Sequence, residues 1–243
     1  MLFILNRILN YFRIAGMFLW SMICITLAVL MIPITWGRSF SVSMARWLYS
    51  PGIIFLAGAS LEVKGEEKIS PEETYIFLSN HQSFMDIPTL FRGIPNRLHF
   101  VAKKGIKYVP FIGWYMLAMG MIFIDRLKGS QSMKSLKKAA TLIRRGRSVI
   151  LFPEGTRSAE GEITPFKKGA FILALEAMVK IVPVALVGTG NLLPRGSGIF
   201  HPRDLSLAIG EPIDPHKYKN DRKGLMQEVE KQMRTLYEGA TTQ

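Results

Sequence analysis

Apolar and polar positions follow two different patterns along the chain. Residues 1–60 hold no Asp or Glu, and their only charges are Arg7, Arg13, Arg38 and Arg46. Nothing charged lies between Arg13 and Arg38, and Met17 to Trp36 is a run of twenty mostly apolar residues. That is the length that crosses a hydrocarbon core as a helix. Nine of the twenty are Leu, Ile, Val or Phe, worth roughly −3 to −5 kcal/mol on an insertion scale before Ser21, Thr26, Pro33 and Thr35 subtract from it. Three arrangements are open: a full span, a helix that enters one leaflet and returns, and a cleaved signal peptide. The third lacks a small-x-small cleavage site directly after the run. In a returning hairpin, the second apolar patch, Trp47 to Gly58, broken by Ser50-Pro51-Gly52, is the return arm or an interfacial segment. Trp20, Trp36 and Trp47 suit an interfacial belt. Arginines flank the run on both sides, so charge asymmetry does not set its orientation.

Beyond residue 60, β-like and helical patterns alternate. Residues 75–78, 98–102, 121–124, 148–152, 181–187 and 205–209 are short apolar runs bounded by Gly, Pro or charges, the pattern of strands. Helical segments lie between them. Ser130 to Arg145 places Met133, Leu136, Ala140 and Ile143 on one face, with Gly146 as a stop, and a last amphipathic helix uses Leu225, Val229, Met233 and Leu236. The expected fold class is α/β: a mainly parallel sheet flanked by helices, with an N-terminal membrane-embedded helical segment. The expected domains are 1–60, an anchor, and 61–243, a catalytic unit.

Composition narrows the function. The 243 residues carry 31 Lys and Arg against 18 Asp and Glu, a net charge of +13, yet 49% are hydrophobic and the mean hydropathy is +0.20. A soluble nucleic-acid binder of this charge is polar overall, a multi-span transporter has several long uncharged runs, and a disordered chain lacks this apolar content. The cations Lys134, Lys137, Lys138, Arg144, Arg145 and Arg147 have no interleaved aromatics for base stacking, so attraction to anionic headgroups is the simpler reading and no nucleic-acid partner is expected. The single cysteine, Cys24, excludes an internal disulfide and a Cys-based metal site. No metal site is expected with four histidines scattered along the chain.

Of those histidines, His99 sits within a strand pattern, His201 precedes a proline, and His216 follows Asp214-Pro215. His81 differs: it stands in Ser79-Asn80-His81-Gln82-Ser83-Phe84-Met85-Asp86, after a strand and entering a helix. A turn can bring the Asp86 carboxylate back to one imidazole nitrogen, leaving the other as a general base. Equally, Asp86 can cap a helix beside an ordinary loop histidine. A serine nucleophile elbow is missing, so a base here acts on a substrate hydroxyl. A second constellation, Phe152-Pro153-Glu154-Gly155-Thr156-Arg157-Ser158, also ends a strand. Gly155 permits close backbone approach, Thr156 adds a hydroxyl, and Arg157 adds a fork suited to a phosphate dianion. Lys167-Lys168-Gly169 opens a helix, and Asp125-Arg126 and Lys103-Lys104 supply further strand-end cations. Together they point to one anionic pocket.

These residues resemble the glycerolipid acyltransferases, in particular the 1-acylglycerol-3-phosphate acyltransferases of the bacterial short type. The family's N-H-Q-S-x-x-D motif matches Asn80 to Asp86, G-x-x-F-I-D-R matches Gly120 to Arg126, F-P-E-G-T-R-S matches Phe152 to Ser158, and a V-P-x motif matches Val182-Pro183-Val184. The resemblance implies transfer of a fatty acyl group from acyl-CoA or acyl carrier protein, as co-substrate, to the 2-hydroxyl of lysophosphatidic acid, with no cofactor. It implies that His81 is the base and Asp86 its orienting partner, with direct attack and no acyl-enzyme. Arg157, Arg126 and Lys103 or Lys104 would hold the acceptor phosphate, with Glu154, Gly155 and Thr156 forming that loop. Val182 and Pro183 would be structural or wall an acyl pocket. The implied location is the inner cell membrane, with the catalytic domain on its cytoplasmic face and the bilayer as partner. An acyltransferase for glycerol 3-phosphate or another lysophospholipid, and a non-catalytic protein that binds anionic lipid, are the alternatives.

Overall fold

The computed structural model describes residues 2–35, 39–125 and 130–241, so Trp36, Arg38 and Arg126 lie outside the described residues. Helix α1 runs over Leu2–Thr35, about 51 Å at 1.5 Å per residue. Helix α2 (Ser39–Met44), one π-helical turn (Ala45–Tyr49) and α3 (Ser50–Ala57) follow end to end and fold back on α1. The returning arm that the patch at 47–58 suggested is therefore helical. Ser50 to Gly52 does not break it, because Pro51 sits in the first turn of α3, where its missing N–H costs no hydrogen bond.

Seven strands form one sheet: β1 (Ser60–Lys64), β2 (Ile76–Ser79), β3 (Leu98–Lys103), β4 (Ile122–Ile124), β5 (Ser148–Leu151), β6 (Ile181–Val187) and β7 (Asp204–Ile209). Their order is β1-β7-β6-β2-β5-β3-β4. Strands β2 to β6 are mutually parallel, β7 pairs antiparallel with β6, and β1 pairs parallel with β7. All six expected strands are present. The seventh, β1, straddles the expected boundary at residue 60; its short Leu61-Glu62-Val63 alternation is half exposed, so it offers no buried run to read.

Central strands of a parallel sheet are covered on both faces and read as continuous apolar runs. Here α6 (Ser130–Arg144), α7 (Lys168–Ala177) and, after the one-turn α8 (Thr189–Leu192), the last helix α9 (Arg222–Thr241) are the elements of one face, where α6, α7 and α9 pack on Ile76, Leu78, Val149 and Ile181. The opposite face, with Phe77, Ile150, Val184 and Leu207, is covered by α4 (Asp86–Gly93), α2 and α5 (Ile112–Ala118). Two helical stripes differ from expectation. Met133 is exposed and Ala139 takes its place against the sheet, and on α9 the fourth buried position is Tyr237 instead of Leu236. Because β2, β3, β4, β5 and β6 share one direction, their carboxyl ends meet along one edge, and both motif loops leave from it.

Phe171 of α7 is fully buried and its ring centroid lies 6.1 Å from that of Phe166. Phe171→Ala is expected to lower the unfolding free energy by about 3–5 kcal/mol, measured as a shift in urea midpoint of detergent-solubilised protein. A shift worth under about 1 kcal/mol would mean that this layer collapses into the gap.

Candidate active site

The site begins where β2 leaves the sheet. The Asn80 side chain stands in for one more rung of the ladder: its Nδ2 donates to the Leu186 carbonyl at 2.8 Å, and the Leu186 N–H donates to its Oδ1 at 2.8 Å. The next residue is thereby held at the strand edge. The His81 N–H donates to Glu154 Oε1 at 2.9 Å, and its carbonyl accepts from the Ser158 N–H at 2.8 Å. Its ring stacks on Phe152 with centroids 3.9 Å apart and planes 12° from parallel. Backbone and ring are thus both fixed by the loop after β5.

Asp86 is the first residue of α4 and is fully buried. Its Oδ2 accepts from His81 Nδ1 at 2.6 Å, from the Gln82 N–H at 2.8 Å and from the Ser83 N–H at 3.0 Å. The two readings open from spacing merge here, since one oxygen both ties the loop amides at the helix start and orients the imidazole. A carboxylate acceptor on Nδ1 assigns the proton to that nitrogen and leaves Nε2 as the basic one. The His81 side chain keeps 18% exposure while Asp86 has none.

The second loop divides into buried and exposed parts. Glu154 was expected among the phosphate-binding residues, but the structure places it elsewhere. It is buried; Oε1 takes the His81 N–H, and Oε2 takes the N–H and hydroxyl of Thr164 at 2.9 and 2.6 Å. A buried, fully engaged carboxylate repels a phosphate, so its role is to clamp the two loops together. Gly155 has φ +74°, and a Cβ there would meet Lys167 Nζ at 2.9 Å, so glycine is required in this turn. Thr156 is exposed, and the Arg157 guanidinium lies 4.0 Å over the Phe84 ring, bridging the two motif loops. The cation Arg195, which the sequence did not single out, donates to the Arg157 carbonyl at 3.0 Å.

The remaining expected residues separate. Lys103 ends β3 exposed, and Lys104 lies 3.9 Å from Asp125 across the β3 and β4 ends. Val182 and Pro183 are buried at the start of β6, the opposite end of that strand from the site, and the Pro183 carbonyl accepts from Gly210. They form part of the sheet interior and line no acyl wall at the site. Among the described residues, no group of three or more His, Cys, Asp or Glu is arranged to hold a metal ion.

Two residues that build the site were missed. Glu160 Oε1 accepts from the Gly188 N–H (3.0 Å) and Oε2 from the Gly190 N–H (2.7 Å), while the Tyr237 hydroxyl donates to Oε1 at 2.7 Å. That hydroxyl accepts from the Gly161 N–H at 2.9 Å and from Gln82 Nε2 at 3.3 Å. The last helix is thus bonded to the loops after β2, β5 and β6 together. Nothing in the local sequence marks a bond across 77 residues.

A family model described as Acyltransferase matches residues 60–187. A chloroplastic 1-acyl-sn-glycerol-3-phosphate acyltransferase of Brassica napus is 41% identical over 154 residues, 63% of this chain and 44% of that protein. The 1-acyl-sn-glycerol-3-phosphate acyltransferase of Saccharomyces cerevisiae is 38% identical over 70% of this chain and 56% of its own. The chain thus spans about half the length of those two relatives. The bovine 1-acyl-sn-glycerol-3-phosphate acyltransferase alpha is 30% identical over 220 residues, 89% of this chain and 77% of that protein. Among solved structures, the 1-acyl-sn-glycerophosphate acyltransferase PlsC of Thermotoga maritima superposes with a TM-score of 0.81 over 97% of this chain and 96% of that one, at 26% identity.

Burial, reinforced by the bond to Glu160, pushes the Tyr237 hydroxyl up to about 12, from an ordinary value of about 10. The folded state therefore holds this proton more tightly than the unfolded state, and its contribution is complete below pH ~10 and is lost as pH rises toward ~12. Tyr237→Phe is expected to cost about 1–3 kcal/mol at neutral pH, to remove that alkaline slope, and to speed amide exchange at 159–162 and 188–191. Unchanged exchange in both segments would show that the tyrosine does not hold them.

Proposed function

The chain belongs to the acyltransferase family, and on that footing we propose that it moves a fatty acyl group from acyl-CoA or acyl carrier protein to the sn-2 hydroxyl of 1-acylglycerol 3-phosphate, giving phosphatidic acid. The observation that carries this reading is the His81–Asp86 pair: a buried carboxylate 2.6 Å from Nδ1, beside a loop whose exposed groups are a hydroxyl and a guanidinium. His81 Nε2 takes the hydroxyl proton as the oxygen attacks the thioester carbonyl. The tetrahedral adduct collapses with cleavage of the C–S bond, and the imidazolium returns the proton to the thiolate, so an ester and a thiol leave. Asp86 stabilises the imidazolium between the two transfers. Attack is direct. Ser83, the hydroxyl nearest the base in sequence, is buried and donates to the Leu193 carbonyl at 2.9 Å, and Cys24 is buried within α1.

Arg157 holds the acceptor phosphate, with Lys103, Lys104 and Arg126 of the neighbouring strand ends adding positive charge. Gly155 and Thr156 let the phosphate approach the loop. Residues 1–60 anchor residues 61–243 to the bilayer, within one leaflet. The stretch Leu5–Thr35 is long and apolar enough to cross a membrane. Yet one face of α1 is bonded to protein along its length. Asn10 exchanges hydrogen bonds with Gly198 and Phe200, Trp20 Nε1 donates to the Tyr49 carbonyl, and the Ala28 carbonyl accepts from Ser41. The other face exposes Phe12, Phe18 and Leu30. A helix wet by lipid on one side and by its own protein on the other lies along a leaflet better than across two. The net charge of +13 suits the anionic cytoplasmic surface.

His81→Ala is expected to lower kcat at least ~10²-fold, measured as phosphatidic acid formed by folded protein; near-normal turnover would remove His81 from the role of base. Arg157→Ala should raise KM for 1-acylglycerol 3-phosphate and leave a phosphate-free monoacylglycerol little affected, whereas equal losses would make the arginine structural. Radiolabelled donor without acceptor should leave no acyl group on denatured protein, and label that survives denaturation would overturn direct attack.

A further inference from the structure

Between Lys107 and Asp125 the chain carries no charge for seventeen residues, a run that reads as core. The structure places much of it outside. Tyr108, Val109, Phe111, Ile112, Trp114 and Leu117 are 71, 44, 48, 54, 57 and 45% exposed. The segment is constructed to hold them there. A tight turn folds Lys104–Tyr108 against α5, where a Cβ on Gly113 would collide with the Lys107 carbonyl. Phe111 enters α5 with φ +61°, a conformation that strains a bulky residue, and its ring lies 5.3 Å from that of Trp114.

We infer that this segment is a second bilayer-contacting element of the protein, one carried by the catalytic domain itself. Its occupant is a phospholipid monolayer. The first reason is continuity. The inner side of α5 packs through Tyr115 against Cys24, Ala28 and Met44, and α5 lies directly against α1, whose own exposed side carries Ile23, Leu27 and Leu30. One apolar surface results, and a contiguous patch of this kind is found where a protein meets lipid or a partner. The second is charge: Lys103, Lys104 and Lys107 fringe the patch on the side of the strand ends, where anionic headgroups would sit. Aromatic rings between a basic fringe and an apolar body are the arrangement of an interfacial element. Because the segment starts at the carboxyl end of β3, one strand from the loop after β5, it lays the lipid surface against the mouth of the His81 site. The acceptor's acyl chain then stays in hydrocarbon while its hydroxyl reaches the base. This inference rests on the membrane reading of α1.

The test uses the full chain in a Cys24→Ser background. A bimane fluorophore is placed through Ile112→Cys, Trp114→Cys or Leu117→Cys, with Phe18→Cys on α1 and Lys217→Cys on the far side of the sheet as references. Vesicles of phosphatidylcholine and phosphatidylglycerol containing dibrominated acyl chains are then added. Positions 112, 114, 117 and 18 should lose at least half their emission, and position 217 should keep it. Quenching at 18 without quenching at 112, 114 and 117 overturns the inference and leaves the anchor intact; absence of quenching at all four overturns both. Emission at 112–117 that changes with protein concentration in the absence of lipid identifies a second copy as the occupant and also overturns it. Ile112→Ser/Trp114→Ser/Leu117→Ser should raise KM at least fivefold for vesicle-borne acceptor and leave a short-chain monomeric acceptor unaffected. Equal effects on both acceptors overturn the inference. Inactivity of the wild type on either acceptor, with quenching as expected, contradicts the proposed reaction and not the surface.

Discussion

A buried carboxylate with three donors on one oxygen is the constraint around which the site is arranged. Asp86 carries its charge with no exposure to water, so the donors must come from the protein: one imidazole N–H and two consecutive backbone amides, 2.6–3.0 Å away. Losing any of them leaves a buried charge short of a partner, a defect that costs several kcal/mol. The loop 81–83 is therefore folded around Asp86 before any substrate arrives, and His81 is delivered in one tautomer at one orientation. In the proposed reaction, this preorganisation is what directs the base.

Two more acids extend the same principle outward. Glu154 ties the loop after β2 to the loop after β5, and Glu160 ties the loop after β5 to the loop after β6 and to α9 through Tyr237. Glu154 and Glu160 use both oxygens on amides and hydroxyls of neighbouring loops, and Asp86 uses one oxygen on its own loop, so negative charge is consumed internally. The cations at the same edge, Lys103, Arg157 and Arg195, remain at least partly exposed. The edge is thus held together by anions and faces outward with cations, which is the polarity a phosphate-bearing acceptor requires.

The same separation resolves the union of high charge and high hydrophobicity in one chain. Apolar surface concentrates in α1 and in the segment before β4, both on one side of the sheet, and the cations border it or line the strand ends. A surface with both properties adjacent matches a phospholipid monolayer, whose hydrocarbon and anionic headgroups are separated by a few ångströms.

Local pattern was sufficient for elements whose signal is local. Six strands were legible as short apolar runs, most clearly β2, β3, β5 and β6, which lie inside a sheet covered on both faces, and the His81–Asp86 pairing was legible because a five-residue span closes through one turn. Most of helix α1 was legible as a charge-free apolar run. What stayed hidden depends on contacts distant in sequence. Glu154 read as part of an anion site because its neighbours are Gly, Thr and Arg; only packing against His81 and Thr164 shows the carboxylate turned inward. Val182-Pro183 sits in a motif, but its depth in the sheet follows from which end of β6 faces the site. Tyr237, Glu160 and β1 are joined to the rest by bonds spanning 28 to 144 residues, which leave no periodic trace. Residues 108–124 are as apolar as any core strand, and whether such a run faces inward or toward lipid is decided by the layer packed beside it. Sequence alone determined the alternation of elements and the chemical groups at the strand ends; the tertiary structure decided which of those groups face each other, because burial and long-range hydrogen bonding exist only once the sheet has assembled.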